Sequence, residues 1–275
     1  MNLREIKSTS PLQLFRSITL NRELLYSLIK RDIAARYRGS FMGLLWTFLN
    51  PVLMLAVYTI VFSVVFKARW PGGTASKTEF ALVLFSGLMV FNLFSECITK
   101  APNLVLGNVN YVKKIIFPVE MLPVISLGVA FFHFGINVVV WLLFYIIFFG
   151  MPNITILMLP LAVVPLVLIT LGASWFLASL GVYLRDVGQI IGLISTVLMF
   201  MSPVFYPVSA LPEEYRQFMQ LNPLTSIIEQ TRDIMIWGKP IIWMNWLTHL
   251  TISVVIAWLG FAFFQKTRGG FADVL

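Results

Sequence analysis

Catalysis in or beside a membrane needs acids, bases, nucleophiles or metal ligands that converge on one reacting atom. This sequence scatters the few it has. His133 and His249 fall in different apolar runs, and neither has Asp, Glu or Cys at the spacing of a metal site. The single cysteine, Cys97, allows no internal disulfide, and no Asp-x-Asp pair is present to hold a metal-bound nucleotide. The nearest fragment to a phosphate-cradling loop is Gly238-Lys239-Pro240, which lacks the Ser or Thr that would reach Mg²⁺. Any ATP hydrolysis that drives this chain therefore belongs to another polypeptide. Polar groups do recur inside the apolar runs, at Asn50, Asn92 and Asn137, where interhelical hydrogen bonds are the ordinary use. Glu96 reads as the cytoplasmic boundary of its run or, alternatively, as a carboxylate held inside the bundle.

The elements that must position these residues follow from composition. Of 275 residues, 59% are hydrophobic and 12% charged, whereas a soluble domain carries roughly 25% charged residues. Disorder, a secreted disulfide scaffold and a free-standing soluble enzyme are excluded. An all-α integral membrane protein remains. Crossing the hydrocarbon takes about 20 apolar residues. Charge-free runs at residues 41–66, 80–95, 121–149, 154–184, 187–212 and 240–265 predict six transmembrane helices. The second run is the shortest, and the third and fourth are divided at Gly150-Met151-Pro152-Asn153, the strongest turn chemistry between them. The whole chain, 1–275, reads as one domain, with a cytoplasmic N-terminal region 1–40 and a six-span core 41–275.

Six crossings put both termini on one side, and the loops of that side hold fourteen of the twenty Lys and Arg. The positive-inside rule places that side in the cytoplasm. It also accounts for the net charge of +8, which needs no nucleic-acid partner. Two segments do not span. Asn21 is placed to cap a helix with Leu24, Leu25, Leu28, Ile29 and Ile33 on one face, an amphipathic interface helix interrupted by an Asp32–Arg36 pair. Between the fifth and sixth runs, Pro212-Glu213-Glu214 and Asn222-Pro223 each look like a helix start, and Gly238 like a stop. Both helices are too short to cross, which predicts a re-entrant hairpin on the outer face, serving as a gate or lid.

Three further patterns bear on partners and cargo. Arg185-Asp186 are the only charges between the fourth and fifth runs, so their turn is tight and offers a partner both a donor fork and an acceptor. Lys113-Lys114 followed by Ile115-Ile116-Phe117 mixes charge and apolar surface as a docking loop does. Tyr58, Phe62 and Phe66 recur at i, i+4, i+8, and Phe200, Phe205 and Tyr206 cluster later. Such aromatics suit helix packing or membrane belts as well as sugar stacking.

Arg36-Tyr37-Arg38-Gly39-Ser40-Phe41-Met42-Gly43-Leu44-Leu45-Trp46, with Asn50-Pro51 after it, resembles the ABC-2 type permeases that export lipid-linked O-antigen, capsule and teichoic acid. Asn110-Tyr111-Val112-Lys113-Lys114-Ile115-Ile116-Phe117-Pro118, Arg185-Asp186, Ser202-Pro203-Val204, Tyr206, Asn222-Pro223 and Arg232 match the family in order, as does the ending Gly270-Phe271-Ala272. The resemblance implies two copies of this chain pairing with two copies of a cytoplasmic ATPase, which alone holds ATP and Mg²⁺; this chain needs no cofactor. It implies that Asn110, Tyr111, Lys113, Lys114, Phe117, Arg185 and Asp186 couple to that ATPase. It further implies that Tyr58, Phe62, Phe66, Phe200, Phe205 and Tyr206 line the route, with Pro212, Asn222, Pro223 and Arg232 in the gate hairpin. The implied cargo is a polyprenyl-diphosphate-linked polysaccharide, O-antigen foremost, moved across the bacterial inner membrane. The rival readings are an ABC-2 exporter of a small drug or lipid and, more remotely, an integral-membrane glycosyl- or acyltransferase.

Overall fold

A computed structural model describes residues 11–65, 70, 76–113 and 117–275, and among these residues it is all-helical. The α-helices are α1 (Pro11–Leu20), α2 (Arg22–Tyr37), α3 (Leu45–Tyr58), α4 (Lys77–Leu104), α5 (Val109–Lys113) and α6 (Met121–Phe149). They continue with α7 (Leu159–Tyr183), α8 (Val187–Phe200), α9 (Glu213–Leu221), α10 (Pro223–Met235), α11 (Trp243–Thr267) and α12 (Phe271–Val274). A wide-turned π segment, Thr59–Val65, continues α3.

Among the described residues, five helical stretches are long and apolar enough to cross a membrane: Leu45–Phe62, Lys77–Leu104, Met121–Phe149, Ile154–Tyr183 and Trp243–Val274. The fifth expected crossing, residues 187–212, falls short of that length: its helix, α8, is 14 residues long. It stops at Phe200, where the chain turns through Ser202-Pro203 instead of continuing helically to residue 212. The second expected crossing, cut at 80–95 by its flanking charges, is longer than that: α4 takes in Glu79, Glu96 and Lys100. An i,i+4 ion pair between Lys100 Nζ and Glu96 Oε1, 2.7 Å, makes that extension comfortable.

α4 is the central helix. In its most apolar stretch 83% is buried, against 6% for the α3 stretch, which therefore lies on the outside of the fold. Around α4 stand α6, α7, α8 and α10. The tightest pairing is α7 on α11, where Gly172 and Gly260 bring backbone against backbone; a methyl group at either would overlap the opposite main chain. Gly181 does the same against the Pro102 backbone of α4. Small residues at crossings are how apolar helices approach in lipid, where packing replaces the hydrophobic drive.

Local start and stop signals are honoured. Gly150 (φ +81°) ends α6, and Gly238 (φ +64°) follows α10. The two turns meet, since a Cβ on Gly238 would strike the Asn153 side chain. Asn222 Oδ1 accepts from Leu224 N–H at 3.0 Å, with Pro223 in the first turn, so α10 is capped as its sequence predicts. Two N-terminal expectations need correction. Asn21 precedes α2, but its amide donates back to Ser17 O at 2.8 Å and caps nothing. Asp32 pairs with the adjacent Arg31 at 2.7 Å, not with Arg36, which is drawn to Glu96. α2 packs on α6, Ile29 lying over Gly128, with Leu25 and Leu28 buried.

Candidate functional site

A cavity of about 460 Å³ lies between α2, α3, α4 and α6, and it gathers residues the sequence keeps far apart. Asn50 of α3, Asn92 of α4 and Asn137 of α6 all line it. None of the three amides makes a side-chain hydrogen bond among the described residues, so the interhelical bonds expected of them are replaced by a shared polar wall. Asn92 is the clearest case. From Phe80 to Phe94 every residue of α4 is buried except Asn92, which opens to the cavity. A primary amide offers two donors and an acceptor. Three of them, with Tyr58 beyond, give a surface that can hydrogen-bond a polar ligand at membrane depth.

One end of the cavity is charged. Glu96 accepts from Arg36 Nη1 at 2.5 Å and Lys100 Nζ at 2.7 Å through one oxygen, and its other oxygen faces His133 Nδ1 at 2.9 Å. Tyr37 OH lies 3.3 Å from His133 Nε2. Protonation of the ring on Nδ1 satisfies both neighbours, with the phenol donating to Nε2. Of the two readings of Glu96, the structure supports the second: the carboxylate is a hub for three helices. His133, without an acid at ligand spacing in sequence, finds one through the fold. Two cations against one carboxylate leave a positive surplus at this end. Among the described residues no group of three or more His, Cys, Asp or Glu could hold a metal.

The aromatics of α3 and α8 meet. Tyr58 and Phe62 have ring centroids 6.4 Å apart, Phe62 stacks on Phe205 at 5.4 Å, and Phe205 on Phe200 at 5.7 Å. Tyr206 OH donates to Phe200 O at 2.6 Å. Phe66 lies outside the described residues. Tyr58 also lines the cavity, so the aromatic run and the amide wall join there.

The residues expected to couple to a partner occupy other surfaces. Arg185 and Asp186 are both exposed at the turn between α7 and α8. Asn110 is exposed, and Tyr111 stacks on Phe117 at 4.5 Å and accepts from Arg31 Nη1 at 2.5 Å, tying this loop to α2. Lys113 ends α5, and Lys114 lies outside the described residues. Sequence reasoning missed Glu120, which is 1% exposed, accepts from Arg268 Nη1 at 3.1 Å, and whose backbone oxygen takes the Trp175 indole at 2.9 Å. Burial pushes its carboxyl above the usual carboxylate range, against the pull of Arg268. Only an isolated acid before an apolar run signals it in sequence.

Of the residues expected in a gate hairpin, Pro212 precedes α9, and Asn222 caps α10, which begins at Pro223. Arg232 is 2% exposed. Its Nε donates to Val83 O at 3.1 Å, Nη2 to Val204 O at 2.6 Å and Nη1 to Pro203 O. Its guanidinium also lies 4.4 Å from the Trp70 ring centroid. One side chain thus joins α10 to α4 and to the irregular stretch after α8.

The sequence has relatives with matching span. The family model described as ABC-2 type transporter matches residues 23–236. The O-antigen export system permease protein RfbA of Myxococcus xanthus is 28% identical, the match covering 95% of this chain and 99% of that protein. An RfbA of Klebsiella pneumoniae is 25% identical over 92% of this chain and 95% of the relative. The polysialic acid transport protein KpsM of Escherichia coli is 20% identical over 87% and 91%. A family match across most of the sequence, on an all-helical fold with five membrane-length apolar helices, settles the class: the chain belongs to the ABC-2 type transporter family.

Proposed function

We propose that this chain is the permease subunit of an ATP-driven exporter that moves polyprenyl-diphosphate-linked polysaccharide, most readily O-antigen, from cytoplasm to periplasm. The observation that carries the reading is the cavity in which Asn50, Asn92 and Asn137 face one another beside Tyr58, with Arg36 and Lys100 at its end. Amides and an aromatic face suit a hydroxyl-rich chain, and the surplus cation suits its phosphate-bearing end. The full-length relatives named as O-antigen and capsule export permeases support the same class of cargo.

In this reading the inner membrane holds both termini on its cytoplasmic side. α8, completed by the irregular stretch that follows it, makes the fifth of six crossings. α2 lies in the interface, and α9–α10 form a re-entrant outer gate. Because α3 is almost wholly unburied within the chain, a second copy covers it, and the aromatics Tyr58, Phe62, Phe200, Phe205 and Tyr206 then face a shared route. Arg185, Asp186, Asn110, Tyr111, Lys113 and Phe117 contact the ATPase, which binds ATP and Mg²⁺.

The test is a strain lacking this chain. Loss of surface polysaccharide, with lipid-linked polymer retained inside and drug resistance intact, is the expected outcome. Unchanged surface polysaccharide with altered resistance to amphiphiles would favour the small-molecule exporter instead.

A further inference from the structure

A second cavity, of about 400 Å³, lies between α10 and the start of α11, with Gln220 of α9 at its edge. Two polar stripes create it. On α10, Thr225, Glu229 and Asp233 recur at i, i+4, i+8; on α11, Asn245 and His249 stand at i, i+4. The apolar face of α10, including Ile227, Ile228 and Met235, is spent on the bundle core. Each helix therefore turns a polar face toward the other, yet the two faces do not close.

The groups inside remain partly unanswered. Thr225 is 2% exposed, and among the described residues its hydroxyl has no hydrogen-bond partner; the buried Nδ1 of His249 has none either. A buried polar group left unpaired costs on the order of 1–3 kcal/mol, so such groups call for a partner. The chemistry of the wall says which kind. No Lys or Arg lines the cavity. Lys239 is held to Asp233 at 3.1 Å, and the Arg232 guanidinium is engaged with Val83, Pro203 and Val204 on other elements. Lys239 offsets Asp233 from outside the lining, so Glu229 is the wall carboxylate without an ion pair among the described residues, and its charge disfavours phosphate or uronate. Carboxylates accept from hydroxyls, while Asn245 and Gln230 both donate and accept. The volume falls within the range of ligand pockets, about 300–1,000 Å³.

We propose that this cavity is a binding site for uncharged sugar units, formed by Thr225, Glu229, Asp233, Asn245 and His249, in which a saccharide's hydroxyls satisfy the open groups of α10 and α11. The inference deepens the export reading and rests on it for the outer location of the site, where an emerging glycan would meet it. The site is separate from the amide-lined cavity beside α3 and opposite to it in charge.

The full-length chain in lipid nanodiscs is titrated with neutral trisaccharides of glucose, mannose, galactose and N-acetylglucosamine, with a uronic-acid trisaccharide as the charged control, by saturation-transfer NMR. At least one neutral sugar should bind, and Thr225→Val and Asn245→Leu should each weaken it about tenfold, the scale of one buried hydrogen bond. Glu229→Gln, which keeps shape, should weaken it severalfold and gives a readout if either other variant fails to fold. Binding of no neutral sugar above the level of a Thr225→Val/Asn245→Leu double variant, or tighter binding of the uronate, would overturn the site. The two readings fail separately. A deletion strain that keeps its surface polysaccharide ends the export reading alone, and a chain essential for that polysaccharide but blind to every neutral sugar ends this one.

Discussion

Two arginines of this bundle, one in the last turn of α10 and one in the turn between α7 and α8, have opposite circumstances. Arg232 is buried to 2% exposure, and each of its guanidinium nitrogens donates to a backbone carbonyl, of Val83, Pro203 or Val204. Arg185 is exposed beside an exposed Asp186, and no hydrogen bond or ion pair holds it among the described residues. Both belong to the sequence pattern shared with the exporter family, so a pattern alone cannot separate their duties. The difference teaches that Arg232 acts through its own chain, as a clamp on non-helical backbone, whereas any duty of Arg185 must be discharged on another molecule. Arg36 stands between them, half-exposed and paired with Glu96 at 2.5 Å.

Removing the clamp is the strongest way to test this contrast. Arg232→Ala strips the donor from the buried Pro203 and Val204 carbonyls, while Val83 O keeps the Ser86 hydroxyl, and should cost ~2–6 kcal/mol, the sum for two stranded acceptors. Thermal unfolding followed by size-exclusion chromatography in detergent should register it as a large fall in melting temperature. Arg232→Lys should recover only part, because an ammonium carries its three donors on one nitrogen and cannot reach carbonyls that Nε, Nη1 and Nη2 meet separately. A near-native melt for the alanine variant would remove the contrast.

The intermediate case comes next. Glu96→Gln keeps the size of the hub but removes the charge that Arg36, Lys100 and His133 share, and should cost about 1.5–3 kcal/mol. The same melt reads it, and Lys100→Met should add little on top, since its partner is already gone. Full additivity would show that Glu96 and Lys100 are not energetically coupled. The seat of Arg232 gives a smaller effect. A Cβ on Gly87 would lie 2.5 Å from Arg232 Nη2, so Gly87→Ala should destabilise by about 1–3 kcal/mol as an overpacked site. In an Arg232→Ala background that penalty should vanish, a coupling that a double-mutant cycle measures directly.

At the far end, Arg185→Ala should change stability by no more than about 0.5 kcal/mol, as exposed substitutions do. Export and recovery of the ATPase with the tagged chain should nonetheless fall together. An unchanged yield of complex would reduce Arg185 to a topology anchor and shift coupling to the Asn110–Phe117 loop.

How legible these features are in sequence depends on the range of the interaction that makes them. Asn222-Pro223, Gly150 and Gly238 are readable because each acts within a few residues: a cap, a fixed φ, a left-handed turn. Charge-free runs found the helices but misjudged two. Glu96 and Lys100 satisfy each other inside α4, so charge did not end it, and Ser202-Pro203 ended α8 without any charge at all. The cavity was hidden for a different reason. Glu96 and His133 are 37 positions apart, and Arg232 and Val83 are 149 apart, so only packing brings them together. Asn50, Asn92 and Asn137 stand out in sequence only one by one, as polar residues in apolar runs. That they face a common space is a property of how α3, α4 and α6 lean on one another.

The short α8 has a consequence for the surrounding lipid. Fourteen residues rise about 21 Å at 1.5 Å each, against roughly 30 Å of hydrocarbon. Ile190, Leu193, Ile194 and Val197 are exposed along it, and beyond Phe200 the backbone leaves helical form. In the fifth-crossing arrangement, acyl chains beside α8 must compress or splay, while those beside the 29-residue α6 need not. In that arrangement the protein would impose an uneven thickness on the bilayer around it, and shorter-chain lipids would gather on the α8 flank.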